Sequence, residues 1–366
     1  MKNKVILFFL LIFFSFSSAL GFAETFTYNP QWKVNDSYDY QTNFSFEFSP
    51  EKSYTDEKPA YGELKLRLRY QVLQITSDYT EFAVKIESID GLVRTEGITV
   101  TLDDSIRILP EKEQKKYQAF LKLITSRNLV HYKIDSKGTI FEFTHLPELT
   151  DLGIDLASLS DKTFKKSKDY EKNRYLIHVV LNLILNHSPY ADSSLFPSFG
   201  PHSSRYLLKE YPLNEVTPDS LVYEHKGLGF YMPQPFTITL PGTTLVTQND
   251  QATILSSTHP YTKKELLQIG QTILDHVLLS DKNRLEMDKA IQTLRQSPYL
   301  EINGALKHQM TILTNESLAH SSHSQWEFAF KGPKRFVLES LEQATDLTPM
   351  QNYQIIFKAE STRINK

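Results

Sequence analysis

No cysteine occurs in these 366 residues. That absence removes disulfide cross-links, thiolate metal sites, a cysteine nucleophile and a lipid-modified cysteine behind a leader. A secreted animal or plant protein of this size would usually carry disulfides, so a bacterial periplasm or cell envelope is the better expectation. Catalytic signatures are missing as well. There is no His-Glu-x-x-His, no Gly-x-Ser-x-Gly elbow and no Gly-Lys-Ser/Thr, and Gly227-Leu-Gly229 lacks the third glycine of a dinucleotide turn. Long apolar runs are missing beyond the first 23 residues, apart from the short Tyr175–Leu185 segment.

The N-terminus itself carries a signal. Lys2 and Lys4 precede the apolar run Val5 to Phe16, and Gly21 and Ala23 place small residues where a signal peptidase cuts, before Glu24. Ser17 with Ala19 is a second option for the cut. The alternative is an uncleaved anchor helix, since Val5 to Phe22 is nearly long enough to span a bilayer. Cleavage after residue 23 takes Lys2 and Lys4 from the 40 basic side chains, leaving 38 against 43 acidic ones, a net charge of −5. A mildly acidic and well-mixed surface argues against nucleic acid and anionic membranes as partners. Lys162 to Lys172, five lysines with two aromatics, is flanked by acids and reads as a solvated helix start.

Aromatic residues make up 12% of the chain, and many alternate with polar ones. In Gly62 to Val72, Leu64, Leu66, Leu68, Tyr70 and Val72 share one face and Lys65, Arg67, Arg69 and Gln71 the other, which predicts a strand with a dry and a wet side. Phe82, Val84 and Ile86 return as its hairpin partner, with neighbours at Tyr38 to Phe48 and Ile98 to Leu102. The Arg/Lys row reads as a solvated sheet face, not an anion site. His131 to Phe143 is a further hairpin around Asp135-Ser-Lys-Gly138. Strands are also expected at 221–225, 237–240, 244–247, 300–313, 325–330, 334–338 and 353–358.

Helices are expected near 110–125, where Pro110 opens a stripe of Tyr117, Phe120, Leu121 and Ile124, and near 165–186. Two more are expected near 262–279 and 282–296. The first of these has a Thr262–Glu265 capping box, a Tyr261–Leu266 staple and an inward stripe of Leu266, Ile269, Ile273 and Val277. Ser188 to Ser204 reads as a long loop and division point. Each half runs strands, helix, strands. The expected class is therefore α+β, with large antiparallel sheets in two similar lobes and helical insertions. The division is a signal peptide at 1–23, an N-terminal β-rich lobe at 24–204 and a C-terminal β-rich lobe at 205–366.

Three features resemble an uncharacterised family of secreted bacterial β-rich proteins. They are the opening Trp32-Lys-Val-Asn-Asp-Ser-Tyr38, the hairpin Ile134-Asp-Ser-Lys-Gly-Thr-Ile140 and a late strand pair around Gly304 to Phe330. Asn35 stands where that family usually has glycine, and the helices here are longer. The resemblance implies a secreted β-fold and supplies no activity.

No catalytic, cofactor or metal residues emerge. His320-Ser-Ser-His323 has no third ligand nearby and reads as a solvated loop. His308, His178 and His276 read as satisfied core or rim histidines. Ser49-Pro-Glu-Lys52 is a chance match to Ser-x-x-Lys, and Asp151/Asp155 and Glu111/Glu113 are ordinary acidic pairs. The expectation is a non-enzymatic, exported binding or carrier protein of the envelope, without cofactor and without a membrane span once the leader is cut. Its partner would be an apolar ligand in a cavity lined by residues such as Tyr70, Phe82, Trp326 and Phe328, lidded by a helix such as 262–279 or 165–186. The alternative is a structural or interaction protein that docks an envelope protein. An envelope hydrolase is a third reading, which needs two converging carboxylates or a Ser–His pair. N-terminal sequencing of the exported chain is expected to start at Glu24; a chain that keeps residues 1–23 would establish the anchor instead.

Overall fold

The computed structural model describes residues 24–50, 59–95, 98–108, 110–126, 130–135, 140–144, 209–225, 235–276, 281–333 and 341–364. The N-terminal half contains β1 (Thr25–Thr27), β2 (Ser37–Pro50), β3 (Ala60–Ile75), β4 (Tyr79–Thr95) and β5 (Ile98–Thr101). It continues through α1 (Leu102–Arg107), α2 (Glu111–Ser126), β6 (Val130–Asp135) and β7 (Ile140–Thr144). The C-terminal half contains β8 (Glu210–Pro212), β9 (Val216–His225), β10 (Phe236–Gln248) and β11 (Ala252–Thr262). Helices α3 (Lys263–His276) and α4 (Asp281–Gln296) follow, then β12 (Glu301–Leu313), β13 (Ala319–Pro333) and β14 (Met350–Arg363). The expected helix at 165–186, the loop at 188–204, the strand at 334–338 and the 204/205 boundary lie outside the described residues.

Two antiparallel meanders build the fold. One runs outward from β2 through β3 and β4 to β6 and β7, and the other runs inward from β9 to β14. The last strand then pairs with β2, from Tyr353 opposite Pro50 to Arg363 opposite Tyr40. The result is one twelve-stranded sheet in the order β7-β6-β4-β3-β2-β14-β13-β12-β11-β10-β9, with β5 added to the far end of β4. This overturns the α+β reading. The protein is mostly β, and twelve of its fourteen described strands form a single continuous sheet in place of two lobes with helical insertions. Each meander repeats the same local pattern, but the β14–β2 ladder joins them through main-chain hydrogen bonds that leave no mark in the side-chain pattern.

Local chemistry explains the entry to the sheet. Asn35 takes a left-handed φ of 72°, a conformation Asn tolerates better than most residues, so it does the work a glycine would do there. Its N–H donates to the Val72 carbonyl at 2.9 Å, and Val72 N–H donates to the Asp36 carbonyl at 2.9 Å. Asp36 Oδ2 accepts from Lys33 N–H and from the Tyr38 hydroxyl, closing the turn. At the end of β5, Thr101 and Asp104 form a reciprocal capping box that stops the strand and starts α1. The strand expected to reach Leu102 therefore ends one residue earlier.

The alternation in β3 gives the sheet two unlike faces. Leu66, Leu68, Tyr70 and Val72 pack with Tyr40, Phe82, Val84, Ile86, Tyr132 and Ile134 in a core of buried residues, with Trp32 set edge-on to Phe82 at 5.3 Å. Each large apolar side chain taken out of water there contributes roughly 1.5–3 kcal/mol. Helix α2 covers β4, and α3 covers β10 to β12. In α3 the deepest residues are Leu267 and Leu274, whereas Leu266, Ile269 and Ile273 are half-buried. The stripe is turned because the helix also packs on α4, where Gly270 faces Ile291. Residue Val277 lies outside the described residues. Near the base, β1 pairs with β8, and Tyr28, Tyr211, Val246, Leu255, Met310 and Ile312 form a second core.

The opposite face is a ladder of ion pairs. The Asp39 side chain is only 2% exposed and receives Arg69 at 2.7 Å and Arg67 at 2.9 Å, while Arg69 also reaches Glu87 at 3.1 Å. The basic row is thus neutralised within the sheet. The guanidinium of Arg69, then that of Arg67, holds the Asp39 carboxyl below the usual carboxylate range, despite burial. A depressed carboxylate stabilises the fold above its unfolded-state pKa and loses that contribution as pH falls through the folded value. Asp39→Asn is expected to cost about 1.5–3 kcal/mol at pH 7. The gap to wild type should narrow below about pH 4, as read by urea unfolding at pH 7 and pH 3. An unchanged gap at both pH values would show that charge is not what Asp39 contributes.

Candidate functional site

Strand alternation carries one face of the sheet across the seam between the meanders. On β13 it presents Trp326, Phe328 and Phe330, on β14 Tyr353, Ile355 and Phe357, and on β2 Phe44, Phe46 and Phe48, in register with one another. The rings touch. Phe46 meets Phe357 at 5.0 Å, Phe330 stacks on Tyr353 at 4.8 Å, and Phe328 lies 5.7 Å from Trp326 and 6.2 Å from Phe357. Tyr353 is buried, but Trp326, Phe328, Phe330, Phe46 and Phe48 are half-buried and Phe357 is 41% exposed. Side chains of this size and polarity normally complete a core. Here they form a continuous apolar stripe left partly open to solvent.

Glycines on β10 and β12, with rings from β11, shape one border of the stripe. A Cβ on Gly304 would stand 2.1 Å from the Glu327 carbonyl oxygen and 2.6 Å from the Tyr261 ring. With no Cβ there, Tyr261 crosses β12 and donates its hydroxyl to the Glu327 carbonyl at 2.6 Å, bringing its ring 5.4 Å from Phe328. Burial pushes that hydroxyl's pKa up, so it stays a donor. Two residues along, His259 lies over Gly242 in the same manner, its Nδ1 3.0 Å from the Leu240 carbonyl. Tyr261 thus ties β11 to β13 across β12.

Below the aromatic stripe the same face turns polar. Thr244, Ser257, His308, Ser324, Ser322, Ser361 and Thr42 are all buried. Asp219 accepts from the Thr244 hydroxyl at 2.7 Å, His308 Nδ1 lies 2.8 Å from Ser324 Oγ, and Thr42 and Ser361 share a hydroxyl contact at 3.1 Å. Small hydroxyls satisfied by neighbours on the next strand let polar atoms sit in a sheet interior at low cost. His308 and Ser324 are the Ser–His pair that a hydrolase would need. Yet Ser324 stands mid-strand, between β12 and β14, where the backbone N–H groups around it are spent in the ladders and none is aimed at an oxyanion. The pair therefore reads as a cross-strand tie.

The remaining candidates scatter. His320 and His323 lie in β13, not in a loop. His320 occupies the register shift beside Glu316, and His323 faces Glu360 at 3.0 Å, so the two do not converge. Among the described residues no group of three or more His, Cys, Asp or Glu is placed to hold a metal. His276 sits at the end of α3, with Nδ1 2.7 Å from the Thr272 carbonyl and its ring 5.1 Å from Phe236. Ser49 donates to Glu47 on the wet face, and Glu111 pairs with Lys115 at the surface. His178, Asp151, Asp155, Lys52, Gly227, Gly229 and Lys162 to Lys172 lie outside the described residues. Of the expected cavity residues, Tyr70 and Phe82 are fully buried in the N-terminal core, while Trp326 and Phe328 belong to the open stripe. The other stripe rings were legible as alternating aromatics, but only the β14–β2 pairing brings them together.

Neither protein-family models nor curated proteins give a match to this chain. Among solved structures, one titled for lipid–protein interactions in lipovitellin is similar at a TM-score of 0.40 and 10% identity, covering 92% of this chain and 26% of that one. The outer membrane protein OprG of Pseudomonas aeruginosa is similar at a TM-score of 0.16 and 6% identity, covering 93% of this chain and 100% of that one. This chain thus spans about a quarter of the lipovitellin chain, and at these scores neither likeness carries an argument about fold or function.

The glycine at the border has a direct test. Gly304→Ala is expected to lower stability by about 1–3 kcal/mol, since the new methyl meets a backbone oxygen that cannot turn away. Tyr261→Phe, which removes one hydrogen bond and keeps the ring, should cost about 1 kcal/mol. Thermal or urea unfolding of both variants checks the order; an alanine variant as stable as wild type would mean that β12 and β13 can separate there.

Proposed function

We propose that this is a non-enzymatic binding or carrier protein of the bacterial cell envelope, exported behind a cleaved leader, whose ligand is apolar. One observation carries the reading: the half-exposed aromatic stripe over β13, β14 and β2, at the centre of the sheet where a closed core would be expected. Contiguous exposed apolar surface is costly to a soluble protein and marks a place where something binds. The opposite face supports the same assignment, since its described charges include Asp39 paired with Arg67 and Arg69, Arg69 with Glu87, and Lys307 with Glu327. No described helix is long and apolar enough to cross a membrane. The family resemblance at Trp32 to Tyr38 agrees with export and adds no chemistry.

Native mass spectrometry of residues 24–366, purified from the compartment to which the chain is exported, tests the proposal. A stoichiometric apolar adduct that organic extraction removes is expected. A clean ligand-free mass would overturn it and favour the interaction-protein alternative.

A further inference from the structure

The aromatic stripe does not end at β2. On the next strand its rows continue through Gly62, opposite Phe46, and Ala60, opposite Phe48. On β4 they reach Val93 and Thr95, and on β5 Val100 and Ile98. Val93 is 56% exposed and Ile98 63%. The two positions between the phenylalanines and these aliphatics are the smallest available. Among the described residues, a Cβ built on Gly62 meets nothing nearer than a backbone oxygen at 4.0 Å. That is the reverse of Gly304 and Gly242, whose missing side chains are replaced by a neighbour's ring. Gly62 leaves open space.

The result is a trough along the end of β3, with Phe46 and Phe48 as one wall and Val93 and Ile98 as the other. Phe46 and Val93 stand two strand spacings apart, about 9–10 Å between backbones, and Phe48 and Ile98 stand three apart, about 14–15 Å; the floor from Leu64 to Ala60 is about 13 Å long. Among the described residues, Thr95 is the one polar side chain on that face of the trough. The strands beneath are interior: β2 is bonded to β14 and β3, β3 to β2 and β4, and this end of β4 to β3 and β5. Their ladders have no N–H or C=O left for a guest. An extended polypeptide laid there would bury its own amides unpaired, at a cost of about 1–3 kcal/mol for each, and a helix, which pairs its own amides, is about 10–12 Å across and too wide for the gap between Phe46 and Val93. A hydrocarbon chain has nothing to satisfy.

We infer that this trough seats a single saturated acyl chain, with Gly62 and Ala60 as its floor and the aromatic stripe as its continuation. The inference rests on the apolar-ligand reading and names the part of the surface that reads the ligand. Palmitic acid is the probe, titrated into ligand-stripped residues 24–366 and followed by native mass spectrometry. Gly62→Ala should bind within about twofold of wild type. Gly62→Phe, which fills the trough, should weaken binding at least tenfold. Gly62→Cys covers the case where the phenylalanine variant fails to fold. It creates the only thiol in the chain, and palmitic acid should slow its alkylation by a maleimide.

Several outcomes overturn the inference. Undiminished binding by Gly62→Phe, or alkylation of Gly62→Cys at the same rate with and without palmitic acid, would remove the trough and leave the apolar-ligand reading standing. An endogenous adduct that is not an acyl lipid, together with no uptake of palmitic acid, would remove the acyl chain alone. A ligand-free dimer in place of any adduct would show a second copy on this face and defeat both readings.

Discussion

The ladder between β14 and β2 is the interaction on which the rest of this structure depends. It joins strands more than 300 residues apart in the chain and turns two meanders into one sheet. Without it each meander would end in a long, flat, aromatic edge strand, the kind that pairs with whatever is near. The join is reinforced at its base. Tyr40, from β2, donates its hydroxyl to the Ala319 carbonyl at 2.9 Å, and Tyr28 receives the Ala319 N–H at 3.2 Å. Both polar groups of one residue at the start of β13 are thus held by rings from the N-terminal arm and the first long strand. Beside them, Arg363 at the end of β14 forms a largely buried ion pair with Glu316 in the β12–β13 turn.

From that seam follows the position of the candidate site. The helices cover the sheet on either side of the middle, α2 over β4 and α3 over β10 to β12. The strands that meet at the seam carry rings on the same face, and the deep cores lie on either side of them, in the N-terminal half around Phe82 and at the base around Tyr28. Aromatic side chains placed where the two halves join are packed against one another but only half withdrawn from water. The opposite face is polar. Charges there are paired across strands, as in Asp39 with Arg67 and Arg69 or Glu327 with Lys307, and Glu327 also accepts from the amides of Gln325 and Gln354.

Glycine has two opposite uses on the dry face. At Gly304 and Gly242 the absent side chain admits a ring from β11, so strands that would otherwise be thinly covered gain an aromatic layer. At Gly62 no described side chain fills the place between Phe46 and Val93. Composition cannot distinguish the two cases, since each is one glycine within an alternating strand. The difference lies in whether the neighbouring strand offers a ring opposite, as Tyr261 does to Gly304 and neither Phe46 nor Val93 does to Gly62.

Much of the local structure was determined by the sequence alone. Strict alternation from Leu64 to Val72 set a dry and a wet face, because side chains on a strand point to opposite sides in turn. The hairpin of β3 with β4, the helix after Pro110 and the contact of Thr262 with Glu265 were legible because their partners are a few residues away. Asn35 was visible as a departure from glycine, though only the backbone showed that it keeps glycine's left-handed conformation. His320 and His323 were misplaced in a loop because a serine-rich run reads alike as a polar strand and a turn. The tertiary structure alone decided that the halves form one sheet, that Tyr70 and Phe82 belong to a closed core, and that Trp326 and Phe328 belong to an open stripe. The reason is physical: strands pair through backbone groups that every residue carries. A sequence can therefore say which face of a strand is dry, but not which distant strand lies beside it or what, if anything, covers that face.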